Sequence, residues 1–418
     1  MTSKSIDTGR VSGSINVPAS KSLTHRYFIQ SALSCKPTIV RLPLQSEDTK
    51  ITLNALRSMG YEFEDYGESV AFTGNKLPVD NCSFWVENSG TSARLLSGVM
   101  SLQPFVCKMD GSERMRQRPM RTLIDALTAL GATVGHNDGY LPLEISGGQL
   151  RGGELHVDAT KSSQFLSSLL LIAPYLTSDL ILKYGETVAS ESYLLMTVEL
   201  MRRAGVEVEL IQGGFRVPAG QNYSLTDLTV EGDFSSAAYF LTAAALTGGR
   251  VTIENVTPNS LQGDSVIVEV LEKAGADVQW GEKGITVKGR DRILPVDVDV
   301  QSVPDLAPTI AVLALFADGP STLRHVEHLK YKECDRLAGV IENIQRLGGK
   351  AYTNGDSLII EPAPLQGTLL ASWNDHRMSM CFSLVGLRVP NVVIENRECV
   401  VKSYPNYWQD LESLLEPA

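Results

Sequence analysis

Cationic, hydroxyl and carboxylate side chains gather in this sequence just before or at the start of apolar runs. In PASKSLTHR, Ser20 is of the right type for a helix N-cap, and Ser22 and Arg26 lie four apart beside Lys21, on one helix face. In ENSGTSARLL, Gly90 allows close backbone approach to a ligand and Thr91 offers a hydroxyl; in KSSQFL, Ser162, Ser163 and Gln164 offer neutral hydrogen bonds. MRQRPMRTL brings Arg114, Arg116, Arg118 and Arg121, some forming a solvated face and one or two free to meet a ligand. In KYKECDRL, the spacing of Lys332, Glu333 and Arg336 fits one side of a helix, as a surface ion-pair ladder or as a binding group. NDHRMSM and VKSYPNYW add Arg377 and Lys402, and VPDLAPT places Asp305 at a helix start, where it reads as an N-cap or as an acid/base group. The first turn of a helix has unpaired N–H groups and the positive end of the dipole, so a cation there favours phosphate or carboxylate. Any one segment alone is more simply a capped helix. Their recurrence points to chemistry on multiply anionic ligands.

The elements that carry these segments recur. Small-residue-rich apolar helices begin near Ser22, Thr91, Ser163, Ser235, Ala307 and Arg377, at intervals of 69, 72, 72, 72 and 70 residues. Each leads into a β-type run such as TIVRLPL or RVTIENV, then into a second helix with apolar residues at three and four, as in Leu53, Leu56 and Met59. Gly60, Gly131, Gly205, Gly275 and the Gly348-Gly349 pair end those second helices. Gly67, Asn137-Asp138-Gly139, Gly213-Gly214, Gly281 and Asn354-Gly355 mark hairpin turns after them. The unit is strand, helix, strand, helix, strand, strand. The first helices are small or apolar on every side and are expected inside; the second show one wet face. The expected fold is α/β: two inside-out domains of three βαβαββ repeats, with buried helices and outer sheets. The domains would be residues 20–232 and 233–418, the latter completed by 1–19, which closes the last repeat. Crossovers near Gly232 and Pro18–Ser20 would act as a hinge, open without ligand and closed with both substrates bound.

Lys and Arg number 37 and Asp and Glu 48, for a net charge of −11, so the chain as a whole repels nucleic acid and anionic membranes, and any anion must be held by local cations. No stretch reaches the ~20 apolar residues of a bilayer span, and the start lacks a signal-peptide core, so a cytoplasmic location is expected; small-molecule partners and a monomer are expected with it. The six cysteines contain no CxxC pair. His325 and His328 could share a helix face, but nothing completes a ligand set, and neither metal nor cofactor is implied.

Taken in order, PASKSLTHR, ENSGTSARLL, RQRPM, SSQFL, VPDLAPTIA, KYKECDRL, NDHRMSM and VKSYP resemble the motifs of the 5-enolpyruvylshikimate-3-phosphate synthase family over nearly the whole chain. That family has the inside-out fold described above. The resemblance implies transfer of the enolpyruvyl group of phosphoenolpyruvate to the 5-hydroxyl of shikimate 3-phosphate, with release of phosphate, by addition and elimination through a tetrahedral ketal. It assigns Lys21, Ser22, Arg26, Ser162, Ser163, Gln164, Ser190, Asp305, His328 and Lys332 to shikimate 3-phosphate, with Tyr193 nearby. It assigns Lys21, Gly90, Arg118, Gln164, Arg336, Arg377 and Lys402 to phosphoenolpyruvate. Asp305, Glu333, Lys21 and Lys402 are the proton-transfer candidates: Asp305 for the 5-hydroxyl, the others for the methylene carbon and departing phosphate.

The sequence departs from the pattern at Leu95, where the family commonly has Pro, at Glu87 and Ser89, and at His328, where some relatives have Asn. The changes at Leu95, Glu87 and Ser89 bear on inhibition by phosphoenolpyruvate mimics such as glyphosate more than on the reaction, and His328 bears on the contact with the shikimate phosphate. The sister enzyme acting on UDP-N-acetylglucosamine shares the fold, but it usually has Lys-Asn near its start and a Cys-bearing loop before the Arg. Here the start is Lys21-Ser22, and residues 108–120 hold no Cys. A non-catalytic repeat protein binding phosphorylated metabolites is the remaining alternative, disfavoured by two carboxylates among so many cations.

Overall fold

The computed structural model describes residues 2–416. By internal contacts the chain divides into two units: Ala19–Val230, and the segment ending at Pro18 together with the chain from Glu231 onwards.

Strands β1 (Lys4–Ser5) and β2 (Ser12–Ile15) open the chain. Then come α1 (Lys21–Leu33), β3 (Thr38–Arg41), α2 (Glu47–Ser58), β4 (Tyr61–Asp65) and β5 (Ser69–Lys76). The pattern repeats in β6 (Asn81–Trp85), α3 (Gly90–Ser101), β7 (Val106–Asp110), α4 (Arg121–Ala129), β8 (Thr133–Asn137) and β9 (Tyr140–Ser146). It repeats again in β10 (Gly153–Val157), α5 (Gln164–Ile172), β11 (Leu180–Tyr184), α6 (Glu191–Arg203), β12 (Glu209–Ile211) and β13 (Gly214–Val217), with β14 (Asp227–Thr229) following. The sheets of this unit run β14-β3-β5-β4, β6-β7-β9-β8 and β10-β11-β13-β12. In each, the first pair is parallel and the rest antiparallel.

The other unit continues with α7 (Phe234–Thr247), β15 (Arg250–Ile253), α8 (Ile267–Lys273), β16 (Asp277–Gly281) and β17 (Gly284–Lys288). Next are β18 (Asp297–Asp299), α9 (Ala307–Ala314), β19 (Ser321–Arg324), α10 (Arg336–Arg346), β20 (Lys350–Asn354) and β21 (Ser357–Glu361). Last are β22 (Leu369–Leu370), α11 (His376–Gly386), β23 (Val393–Ile394) and α12 (Tyr407–Ser413). Its sheets are β2-β15-β17-β16, β18-β19-β21-β20 and β22-β23-β1. The N-terminal segment therefore does more than close the last repeat. β1 lies antiparallel to β23, while β2 lies parallel to β15, three repeats away in sequence.

Burial follows the two helix types. All of α9 and α11 is buried, as is all of α7 except Thr247. In the Ala19–Val230 unit the residues of the equivalent helices that reach the surface are few: Ser22 and Tyr27 on α1, Thr91 on α3 and Gln164 on α5. Three of these four are polar residues in a first turn. By contrast α2 and α10 bury only one stripe, as amphipathic helices do. Two turn assignments read from the sequence shift. Gly284 (φ 120°), not Gly281, holds the left-handed backbone between β16 and β17, and Asp138 and Gly139, rather than Asn137, hold it between β8 and β9.

Candidate active site

In the Ala19–Val230 unit, three helix starts hold the predicted polar residues. Ser20 caps α1 by accepting from the Leu23 N–H, which sets Lys21, Ser22 and Arg26 on the first turns. The Lys21 ammonium lies 3.3 Å from the Asp48 carboxylate, both nearly buried. Arg26 donates from Nε to Thr197 Oγ1 (2.7 Å), from Nη1 to the Ser22 carbonyl (3.0 Å) and from Nη2 to the Tyr193 carbonyl (2.9 Å). Burial lowers its pKa to about 10, partly offset by Tyr193. Next to it, burial drives His25 down to about 3, against the pull of Asp48, so it is a neutral imidazole whose Nδ1 meets Thr52 Oγ1 at 2.8 Å.

Around α5, Ser162 Oγ accepts from the Gln164 N–H (3.3 Å) and Ser163 Oγ donates to the Ser190 carbonyl (2.8 Å). Ser190 sits at φ 63°, a left-handed position costly for a residue with a Cβ, as found at ligand clamps. Around α3, the Arg118 guanidinium lies on Gly90: a Cβ there would stand 2.3 Å from Nη2. Arg118 Nη1 donates to the Asn88 carbonyl (3.0 Å) and side-chain oxygen (3.2 Å). Of the four arginines in its segment, Arg118 alone is buried.

In the other unit the site is built around Arg336, whose side chain has no exposure. It donates from Nε to Asp375 Oδ2 (2.8 Å), from Nη1 to Asp305 Oδ1 (2.7 Å) and from Nη2 to Glu333 Oε2 (2.7 Å). Asp305 also pairs through Oδ2 with Arg377 Nη2 at 2.8 Å, and Glu333 lies 3.9 Å from the Lys402 ammonium. Burial by itself would raise the Asp305 carboxyl, but Arg377, Arg336 and Lys332 hold it well below the usual carboxylate range. The same carboxylates outweigh the burial of Arg336 and push its pKa well above the ordinary value. Asp375 caps α11 by accepting from the Arg377 N–H (2.9 Å), so one carboxylate orients both arginines. Trp373 and Asn374, just before it, are both left-handed. His328 is buried, and burial together with Lys332 lowers it to about 3.

Each unit thus gathers cations at helix starts, and one of them adds a carboxylate pair; such groups suit the binding of phosphate and carboxylate. Comparison with known proteins agrees. Residues 6–411 match the family model of EPSP synthase (3-phosphoshikimate 1-carboxyvinyltransferase). The chain belongs to the EPSP synthase family. Among curated relatives, a 3-phosphoshikimate 1-carboxyvinyltransferase of Methanoculleus marisnigri is 39% identical over 422 residues, 98% of each chain. One from Nostoc punctiforme is 37% identical over 413 residues, 97% of each. A solved EPSP synthase of Acinetobacter baumannii superposes with a TM-score of 0.83 at 28% identity, covering 99% of this chain and 98% of that one.

Within this family frame, several readings from spacing need correction. Lys332, Glu333 and Arg336 do not share a helix: a short 3-10 turn ends at Tyr331, Lys332 is extended, and α10 begins only at Arg336, capped by Asp335. Glu333 reaches Arg336 from the loop instead. Arg336 is fully buried and Glu333 nearly so, so the surface-ladder reading fails. Asp305 is not an N-cap, because Leu306 holds that position and the Asp305 carboxylate goes to two arginines. His325 lies outside the turn that holds His328 and contacts Asp299 (2.8 Å), so the two share no face. Asp375, Asp48 and Thr197 escaped sequence reasoning. Asp375 stood inside the motif NDHRM, and its position before a buried apolar helix was the available signal. Thr197 lies mid-helix and carries no such mark.

Proposed function

We propose that this chain transfers the enolpyruvyl group of phosphoenolpyruvate to the 5-hydroxyl of shikimate 3-phosphate and releases phosphate. The observation that carries the reading is Asp305, half-buried and paired with both Arg336 and Arg377, with Glu333 on the Arg336 guanidinium. Two arginines with forked donors suit the carboxylate and phosphate of phosphoenolpyruvate, and carboxylates beside them suit proton transfer. In this reading Arg336, Arg377, Lys402, Arg118 and the Gly90 backbone bind phosphoenolpyruvate. Ser22, Arg26, Ser162, Ser163, Gln164, Ser190, His328 and Lys332 bind shikimate 3-phosphate, and Lys21 and Gln164 serve both. Asp305 accepts the hydroxyl proton. Glu333, with Lys402 or Lys21, delivers a proton to the methylene carbon and stabilises the leaving phosphate, and the roles reverse in elimination.

The cations that hold the Asp305 carboxyl below the usual carboxylate range also weaken it as a base. Incoming carboxylate and phosphate would compete for Arg336 and Arg377, loosening their hold on Asp305 and moving its pKa toward the working range. The reading also includes two domains, 20–232 and 233–418 with 1–19, each of three repeats around buried helices, and a monomer acting in the cytoplasm. The repeat architecture is supported by the recurring sheet pattern and the buried first helices of each unit. Phosphate release is the direct test. Purified protein is given phosphoenolpyruvate with shikimate 3-phosphate or with UDP-N-acetylglucosamine. Release only with the former is expected; release only with the nucleotide sugar, or with neither, overturns the assignment.

A further inference from the structure

Arg94 lies on α3 one turn after Gly90, on which Arg118 rests, and has no role in the reading above. Its residue is only 3% exposed. Nη1 donates to Gln164 Oε1 at 2.8 Å, Nη2 donates to the Pro119 carbonyl at 3.2 Å, and the guanidinium lies 5.3 Å from the centre of the Phe165 ring. Gln164 Nε2 in turn donates to Thr91 Oγ1 at 3.0 Å. At the backbone, the Arg94 carbonyl accepts from Ser168 Oγ at 2.7 Å.

We propose that Arg94 is a positioning residue: it fixes which end of the Gln164 amide faces outward and ties down the loop that carries Arg118. The inference rests on the reading that Gln164 and Arg118 bind anionic substrate. A guanidinium has five N–H donors and no acceptor, so the Gln164 group turned toward it is the carbonyl oxygen. The amide N–H groups are then turned away, one to Thr91. Thr91 Oγ1, having accepted, keeps its own hydroxyl proton to donate. Arg94, Gln164 and Thr91 therefore form a relay with every donor aimed in one direction, and its free end is a donor. An anion needs that polarity. A reversed amide would present an oxygen to a phosphate or carboxylate and repel it. Through Pro119, next in sequence to Arg118, the same guanidinium limits the play of the loop whose cation rests on Gly90. One buried side chain thus links α3, α5 and that loop, all within the Ala19–Val230 unit.

The test uses the full-length chain, phosphate release, and phosphoenolpyruvate varied at saturating shikimate 3-phosphate. Arg94→Met keeps most of the stem and removes every donor; Arg94→Lys restores one. Arg94→Met is expected to raise the KM for phosphoenolpyruvate at least tenfold while kcat changes less than threefold, with Arg94→Lys recovering part of the loss. In the double variant with Gln164→Ala, the KM increase should be well below the product of the two single increases. Gln164→Glu is the companion should Arg94→Met fail to fold. Its carboxylate can pair with Arg94 but offers only acceptors outward, so its KM should exceed that of Gln164→Ala. A space-filling role predicts otherwise. Kinetic constants of Arg94→Met within twofold of the unmodified chain, even with a lower melting temperature, would overturn the proposal. So would multiplicative effects in the double variant, or Gln164→Glu binding as well as Gln164→Ala. Absence of turnover in the unmodified chain would instead overturn the functional reading on which the proposal rests.

Discussion

Asp305→Asn separates binding from chemistry in the Arg336 cluster. The substitution preserves size and removes the charge that pairs at 2.7 Å with Arg336 and at 2.8 Å with Arg377. An amide cannot accept the hydroxyl proton. General-base catalysis is worth about 10² to 10⁴ in rate, or roughly 2.7 to 5.4 kcal/mol at 1.36 kcal/mol per decade. kcat should therefore fall at least ~100-fold. Binding should move the other way. Arg336 keeps Glu333 and Asp375, Arg377 loses the carboxylate at 2.8 Å, and the cluster gains one net positive charge, so phosphoenolpyruvate meets less internal competition. Its KM is expected to stay level or fall. The assay is steady-state phosphate release with each substrate varied in turn. A loss of kcat below fivefold would remove Asp305 as the proton acceptor, and a KM rising in step with the loss of kcat would make it a binding group.

Other perturbations test the rest of the site. Gly90→Ala places a Cβ 2.3 Å from Arg118 Nη2, which must shift; losing a charge-assisted contact of ~1.5 to 3 kcal/mol should raise the KM for phosphoenolpyruvate about tenfold or more, with that for shikimate 3-phosphate within about twofold. Arg336→Lys cannot satisfy Asp375, Asp305 and Glu333 together, so urea unfolding should show a loss of about 3 to 5 kcal/mol and kcat/KM for phosphoenolpyruvate should fall more than ~100-fold; a loss under ~1 kcal/mol would contradict the buried three-way pairing. His25 has a folded pKa of about 3 against 6.5 when unfolded, so the unfolded chain binds the extra proton between those values. Its contribution to stability is full above about pH 6.5 and is lost as pH falls toward 3. His25→Gln should therefore flatten the pH dependence of unfolding in that window by up to ~1.4 kcal/mol per pH unit, and an unchanged slope would show that the imidazole is not held neutral.

Local physics accounts for what could be read from the chain alone. Helix period, strand composition and positive-φ glycines depend on neighbours a few residues away, so the recurrence near 70 residues, the two helix types and the cations at Lys21, Arg26 and Arg377 were legible before any coordinates. The small and apolar residues on every side of the first helices made burial predictable, and burial made the first-turn polar residues Ser22, Thr91 and Gln164 stand out. The pairing of elements far apart in sequence was not legible. Which sheet β2 or β14 joins is decided by the edge left open in a distant repeat. Nor could spacing show that Arg336 is buried among Asp305, Glu333 and Asp375, because two of those carboxylates come from segments 31 and 39 residues away. Spacing rules cover residues on one element, whereas a guanidinium without water collects acceptors from every element packed around it. The types of the reacting groups were therefore visible in the chain. Their partners, and with them the pKa of Asp305 and the orientation of Gln164, are set by tertiary packing, because a charge or an amide takes its state from what surrounds it in space.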